Sequence, residues 1–327
     1  MKERYIYYDG SPELSAVEML SKQRIEEKFW EYITKKISLS QLVRLLKEDL
    51  ERTLLVEFSE LNVDKPPVHI ERVDTVGKIP VMINLKDECM PFQATTQVTE
   101  DGIFSISVSS VECTRGRKVN IGRNRIRSSV AHELMHTFFY DKSKKVPRRL
   151  GEHPRDPIFY KAEEDICRHL ARVALLPKYL VDKEISNVLI KQGKFCANME
   201  NLLWLENKFE VAPDLITWRL FRDLGIWKGV FFRLTLSSRR ISTDSTIRSP
   251  DSYFARIVVP RIPNENTFLG EMIIDSIKDM KSKESADVTI VKKAGGLQLE
   301  LYCPNREFMK SVENGEDVYF VGLVSVA

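Results

Sequence analysis

The chain has 327 residues, 43% of them hydrophobic, which is enough for each of two domains to bury its own core. Its 50 basic residues stand against 47 acidic ones for a net charge of +3, so it lacks the overall field of a dedicated nucleic-acid binder and any basic function must be local. Five scattered cysteines without a Cys-x-x-Cys pair argue against a disulfide scaffold or a thiolate metal site and suit a reducing cytoplasm.

The opening Met-Lys-Glu-Arg-Tyr is charged and no long apolar stretch follows it, so no secretory signal is expected. From Pro12 to about Leu61, apolar residues such as Leu42, Leu45, Leu46 and Leu50 recur at helical spacing and predict two or three helices. The stretch from Ile103 to Ser109 then alternates strictly, with Phe104, Ile106 and Val108 on one face, which predicts a strand with one buried side. Such a strand could accept an extended peptide by strand addition if it lies at a sheet edge.

Between 124 and 140, Ile126, Val130, Ala131, Leu134, Met135 and Phe138 form an apolar helical stripe. Residues 141–161, with Pro147, Pro154 and Pro157, read as a loop, and a helix resumes near Glu163 and ends before Pro177. Two further helices are expected near 198–208 and 213–224, with Pro213 in a first turn and Gly225 at a stop. After Trp227 the texture becomes strand-like in the runs Val230–Leu236, Phe254–Val259, Val288–Lys292, Leu297–Cys303 and Val318–Val326. Only 269–282 looks helical there, and the Ser/Arg/Thr-rich piece Ser237–Ser252 reads as an exposed loop. The final apolar run, from Val318 to Ala327, is about half the ~20 residues needed to cross a bilayer, so it predicts a buried strand and no membrane span.

The chemistry sits in His132-Glu133-Leu134-Met135-His136 on the first of the central helices. Four-residue spacing puts two imidazoles on one helix face, which suits two ligands of a single tetrahedral cation. Glu133, beside the first of them, can take a proton from a zinc-activated water as general base. The plainer alternative is that these are polar residues on one edge of an ordinary amphipathic helix. A catalytic zinc takes a third protein ligand, for which Asp141, Glu152, His153, Glu163 and Glu164 are candidates. Lys142 stands where a metzincin would carry its third histidine, which excludes that subclass. A carboxylate on a rigid helix is held more firmly than one in a Pro-rich loop, so the pair Glu163 and Glu164 is favoured. Periodicity does not separate the two, and as first-turn acids they could also merely complement the helix dipole.

The stretch from Arg127 to His136, together with Glu164-x-x-Cys167, Ala171 and Leu175-Leu176-Pro177, resembles the ImmA/IrrE-type metallopeptidases. A weaker match runs through Leu205, Phe209, Val211-Ala212, Arg219-Leu220 and Leu224-Gly225. Counting back from Pro177, the resemblance implies Glu164 as the third ligand, so Glu164→Ala and not Glu163→Ala is expected to lose metal. It further implies a zincin-like core and cleavage of a regulatory protein such as a DNA-binding transcriptional repressor. The chain departs from the family pattern at Met135, Ser128 and Arg168, which stand where glycine, an aromatic and asparagine are usual. The last of these leaves open what hydrogen-bonds to His132 or His136.

Two basic loops, 115–127 and 142–149, bracket the motif and offer a route to nucleic acid, although solvated loops account for such runs as well. The pair 198–208 and 213–224 could pass for a helix-turn-helix, but Leu215, Ile216, Trp218, Leu220, Phe221 and Leu224 make too apolar a face for a DNA groove. Packing against the catalytic core is the expectation for them. The expected protein is therefore of the α/β (α+β) class, with a zincin-like catalytic domain over 1–228, N-terminal helices included. A mainly β domain over 229–327 would follow, serving as a sensor or substrate-docking module. The expected function is a zinc-dependent cytoplasmic endopeptidase with His132, His136 and Glu164 on the metal and Glu133 as base. The donor set leaves room for another divalent cation such as Mn2+. The rival is a regulator of the same fold that binds a partner protein or DNA without cutting.

Overall fold

The computed structural model describes residues 27–28, 31, 36–57, 63–114, 117–142, 145–149, 157–192, 195–237, 240–282, 289–303, 311 and 318–326. The fold is α+β, with helices toward the N-terminus and a mainly β region toward the C-terminus. Among the described residues no helix is long and apolar enough to cross a membrane.

By packing, the chain divides into two compact units, Met1–Val181 with Phe209–Val211, and Asp182–Lys208 with Ala212–Ala327. The first unit begins with α1 (Leu39–Glu57), whose Leu42, Leu46, Leu50 and Leu54 recur every fourth residue and are buried. The rest of the stretch from Pro12 in which two or three helices were expected lies mostly outside the described residues. Next come β1 (Thr75–Val76), β2 (Ile79–Lys86), β3 (Ala94–Val98) and β4 (Phe104–Ser109), forming a sheet of order β1-β2-β4-β3. The predicted alternation in β4 is present: Phe104, Ile106 and Val108 are fully buried. This strand is not an edge, because β2 pairs with it in parallel and β3 antiparallel, so the open edge for strand addition belongs to β3. A tight turn joins β3 to β4, with Gly102 at φ 84, a left-handed conformation that a side chain would strain.

A small hairpin of β5 (Val111–Thr114) and β6 (Arg117–Asn120) leads into α2 (Arg123–His136). Val130, Ala131, Leu134 and Met135 are buried on this helix, as the stripe predicted. The Pro-rich loop contains a two-residue hairpin, β7 (Tyr140–Asp141) with β8 (Arg148–Arg149). The helix after it, α3 (Pro157–Leu175), starts two turns earlier than expected, so Glu163 and Glu164 are interior residues and not a first-turn pair. Its Ile166, Cys167, Leu170 and Ala174 are buried.

Cys89, in the loop after β2, and Cys113, in β5, are joined by a disulfide with Cα atoms 5.8 Å apart, which corrects the expectation of free thiols throughout. Cys167, Cys196 and Cys303 are not disulfide-bonded.

The second unit contains helices α4 (Lys178–Gln192, which begins in the first unit), α5 (Met199–Phe209) and α6 (Pro213–Trp218), the last continuing as a wider turn to Asp223. Its sheet comprises β9 (Val230–Leu236), β10 (Ile241–Arg248), β11 (Thr289–Ala294), β12 (Leu297–Tyr302) and β13 (Val318–Val326) in the antiparallel order β10-β9-β13-β12-β11. A single turn α7 (Ser252–Ala255) and α8 (Phe268–Ser282) follow β10, and Ile273 and Ile277 of α8 join Phe232, Leu234, Leu299 and Phe320 in one core.

The sequence placed a boundary at 228, with α5 and α6 packed on the catalytic core. The packing instead groups most of α5, and α6, with the C-terminal sheet. One reason is Glu300 of β12, which is buried and accepts from the Met199 backbone N–H at 2.7 Å, while Gln298 Nε2 donates to its other oxygen at 2.6 Å. A carboxylate on the first turn of α5 satisfies an orphan N–H and the positive end of the helix dipole together.

Candidate metal centre

Each residue of the motif is positioned by a different neighbour of α2. The helix packs on β3 and β4 on one side and on α3 on another. Its first turns are anchored by Arg127, a buried side chain whose guanidinium donates to Glu210 Oε2 at 2.9 Å, to the Glu210 carbonyl at 3.0 Å and to the carbonyl of Val68, with Glu71 at 3.3 Å from its Nε. The arginine heading the motif thus ties the base of α2 to two distant segments of the same unit.

One turn further on, three side chains converge. The Nε2 atoms of His132 and His136 lie 3.2 Å apart, Glu164 Oε2 lies 3.3 Å from the first and Glu164 Oε1 lies 3.4 Å from the second. Two imidazole lone pairs at that distance repel unless a proton or a cation lies between them. For a tetrahedral ion with bonds of about 2.0–2.1 Å, the edge between neighbouring ligands is about 3.3 Å. The three contacts found here are each close to that edge, although the two histidines meet different oxygens of Glu164, so the triangle is one of side chains; the donor set suits zinc in chemical type.

Electrostatics agrees with this geometry. His132 and His136 beside Glu164 hold its carboxyl far below the usual carboxylate range. Burial opposes a charge on His136, but Cys167, Glu163 and Glu164 around it outweigh burial and raise its pKa.

Glu163 takes a different part from its neighbour. Its Oε1 accepts from His136 Nδ1 at 2.7 Å and from Arg149 NH2 of β8 at 2.6 Å. Burial disfavours its charge, yet His136 and Arg149 together bring its pKa below the ordinary value. With the Nδ1 proton committed to Glu163, the Nε2 lone pair of His136 faces the centre of the triangle, the usual arrangement by which an outer carboxylate orients a metal-binding histidine. This supplies a partner for His136 that the departure at Arg168 had left open. Arg168 itself reaches Glu164 Oε2 at 3.2 Å and Asp165 at 3.4 Å.

Glu133 is buried, and Thr96 Oγ1 is 2.8 Å from its Oε2 and 2.9 Å from its backbone carbonyl. Thr96 belongs to β3, the edge strand, and was not singled out by sequence; nothing local connects positions 37 residues apart. Among the described residues, two groups of donors have their ligand atoms within 4.8 Å of one another: His132, Glu133 and His136 of the motif itself, and His136, Glu163 and Cys167. Burial pushes the Cys167 thiol up to about 11. Of the remaining candidates, Glu152 and His153 lie outside the described residues, and Asp141 pairs in register with Arg148 in the β7–β8 hairpin.

The basic loops are partly engaged in the fold. Arg125 meets Glu112 at 2.9 Å, Arg123 meets Glu210 at 3.3 Å, and Lys142 lies over the Phe138 ring. Arg115 and Lys144 lie outside the described residues.

No protein-family model matches the chain, and no curated protein matches it either. Among solved structures, a Mycobacterium tuberculosis transcriptional regulator is similar at 11% sequence identity, over 93% of this chain and 80% of that one, with a TM-score of 0.46.

Proposed function

We propose that this chain is a zinc-dependent endopeptidase in which His132, His136 and Glu164 hold the metal and Glu133 is the general base. The observation that carries the reading is the convergence of the His132 and His136 Nε2 atoms with the two carboxylate oxygens of Glu164, at contacts of 3.2, 3.3 and 3.4 Å that are close to the ligand edge of a tetrahedral zinc site. When bound, zinc supplies a Lewis acid that polarises a peptide carbonyl and acidifies water. Glu133 then accepts the proton of the attacking water, held in place by the Thr96 hydroxyl on its Oε2. The N–H of His136 Nδ1 stays on Glu163, which keeps the ring aimed at the metal. The open edge of β3 lies on the strand that carries Thr96, and an extended peptide can add to it by backbone hydrogen bonds.

The resemblance to ImmA/IrrE-type metallopeptidases supports a cytoplasmic regulatory protein, such as a DNA-binding repressor, as substrate. The five-stranded sheet of the second unit would then serve as a sensor or as a docking surface for that substrate. The disulfide between Cys89 and Cys113 is the feature that weighs against a reducing compartment.

The test is Glu133→Gln, which keeps volume and hydrogen bonding but removes the proton acceptor. Zinc content should equal that of wild type, and cleavage of a DNA-binding repressor offered as substrate should fall by about 10²–10⁴-fold. A variant with normal zinc that still supports the full cellular response would replace this reading with that of a non-cleaving regulator.

A further inference from the structure

Two arginines flank the donor triangle, each resting on one of the carboxylates. Arg149 NH2 is 2.6 Å from Glu163, and Arg168 NH2 is 3.2 Å from Glu164. Their side chains are 47% and 58% exposed, so neither is a buried structural cation. A guanidinium has five N–H donors in a planar fork. Arg149 reaches Glu163 through one nitrogen, and Arg168 reaches Glu164 and Asp165 through two. Lys145, Arg148 and Lys161 are exposed on the same hairpin and helix, against Asp141 and Asp165. With a divalent cation in place, the cation and the two guanidinium groups balance the carboxylates of Glu133, Glu163, Glu164 and Asp165, and the exposed Lys145, Arg148 and Lys161 against Asp141 leave the rim of the loaded site basic.

We propose that Arg149 and Arg168 are specificity-determining residues that select a peptide with acidic side chains next to the bond to be cut. The inference rests on the zinc peptidase reading and names its substrate class. Reach sets the positions. From the Arg149 guanidinium to the centre of the triangle the path through Glu163 and the His136 ring is about 9 Å, or roughly three residues of extended chain at ~3.3 Å each. From Arg168 through Glu164 it is about 5 Å, one or two residues. An aspartate or glutamate within three residues of the scissile bond can therefore meet a guanidinium in a fork that carboxylates fit. Asparagine, the family's usual residue at position 168, carries no charge, so this preference would belong to the present chain and not to the whole family.

Three short peptides ending in a zinc-binding hydroxamate, identical except for Glu, Gln or Lys two residues from the hydroxamate, test this on the full-length, zinc-loaded chain. The expected order of affinity is Glu over Gln over Lys, with about three- to tenfold between successive members at low salt. The order should flatten at 0.5 M salt. It should also flatten in Arg149→Gln, and in Arg168→Gln provided zinc content is unchanged. If Arg168→Gln loses zinc, the wild-type series and Arg149→Gln still decide. Equal binding of the three probes would overturn the proposal and leave the metal site standing. No binding of any probe would remove the zinc reading and this inference with it. Displacement of the Glu probe by a short DNA duplex, without discrimination among the peptides, would overturn it in favour of phosphate recognition.

Discussion

Replacing Glu163 by alanine distinguishes an orienting carboxylate from a bystander. The substitution removes the acceptor that holds His136 Nδ1 at 2.7 Å and strands Arg149, whose NH2 rests on the same oxygen at 2.6 Å. Loss of an outer-shell partner costs 10–100-fold in metal affinity, which is about 1.4–2.8 kcal/mol. The stranded guanidinium acts in the same direction. A unit charge about 9 Å from a divalent ion at an effective dielectric of about 20 repels it by roughly 3–4 kcal/mol, and half-exposure to solvent screens most of that. The expected loss is therefore near the 100-fold end. Glu163→Gln keeps a carbonyl for the Nδ1 proton but loses the charge, and should lie near tenfold. Adding Arg149→Gln to Glu163→Ala should recover part of the affinity. Competition between the metal-free protein and a chromogenic chelator measures all three. Glu163→Ala within twofold of wild type would refute the orienting role and restore the sequence-based view that only Glu164 matters.

A substitution in the second unit checks the packing there, because Gly322 of β13 pairs with Phe232 of β9 and a Cβ at 322 would run into the Phe232 ring. Gly322→Ala should cost about 1–3 kcal/mol and lower Tm in a thermal melt, and an unchanged Tm would show that the ring moves aside at little cost. Zinc binding should release protons. His136 has a raised pKa in the metal-free site and must lose its proton to bind zinc, so affinity falls with acid and rises through the neutral range by up to about tenfold per pH unit. Binding enthalpies that do not vary with the ionisation enthalpy of the buffer would contradict this.

What could be read in advance was what local periodicity encodes. The alternation in β4 and the stripe of α2 appear as expected because one buried face dictates residue type at a fixed period. Strand β10 was taken for a loop because its Ile-Ser-Thr-Asp-Ser-Thr-Ile-Arg has little apolar content; it lies at a sheet edge and buries only Ile247 on its length. The run Phe254–Val259, read as a strand, is no strand: Phe254 and Ala255 end a helical turn started by Asp251, whose side chain accepts from the Tyr253 N–H, and 257–259 are irregular. Helix α4 was not anticipated, although Leu180, Val181, Ile185 and Val188 are buried at helical spacing, because Pro177 reads as a stop while it also serves as a start. The disulfide and the bond from Thr96 to Glu133 depend on which strands become neighbours, and no local pattern reports that.

The pair Glu163 and Glu164 shows where local pattern runs out and geometry decides. Successive helical residues point about 100° apart, so two adjacent glutamates cannot reach the same atom of a neighbouring helix. On α3 this angle directs Glu164 to the two Nε2 atoms of α2 and Glu163 to the Nδ1 atom of one of them, on the far side of the same ring. One imidazole is thus gripped from both sides by consecutive residues. A rotation of α3 by one residue would exchange the ligand for its support, and the buried Cys167, Leu170 and Ala174, about one, two and three turns further on, prevent it. The apolar stripe that could not choose between the glutamates from sequence is what holds them in their separate roles.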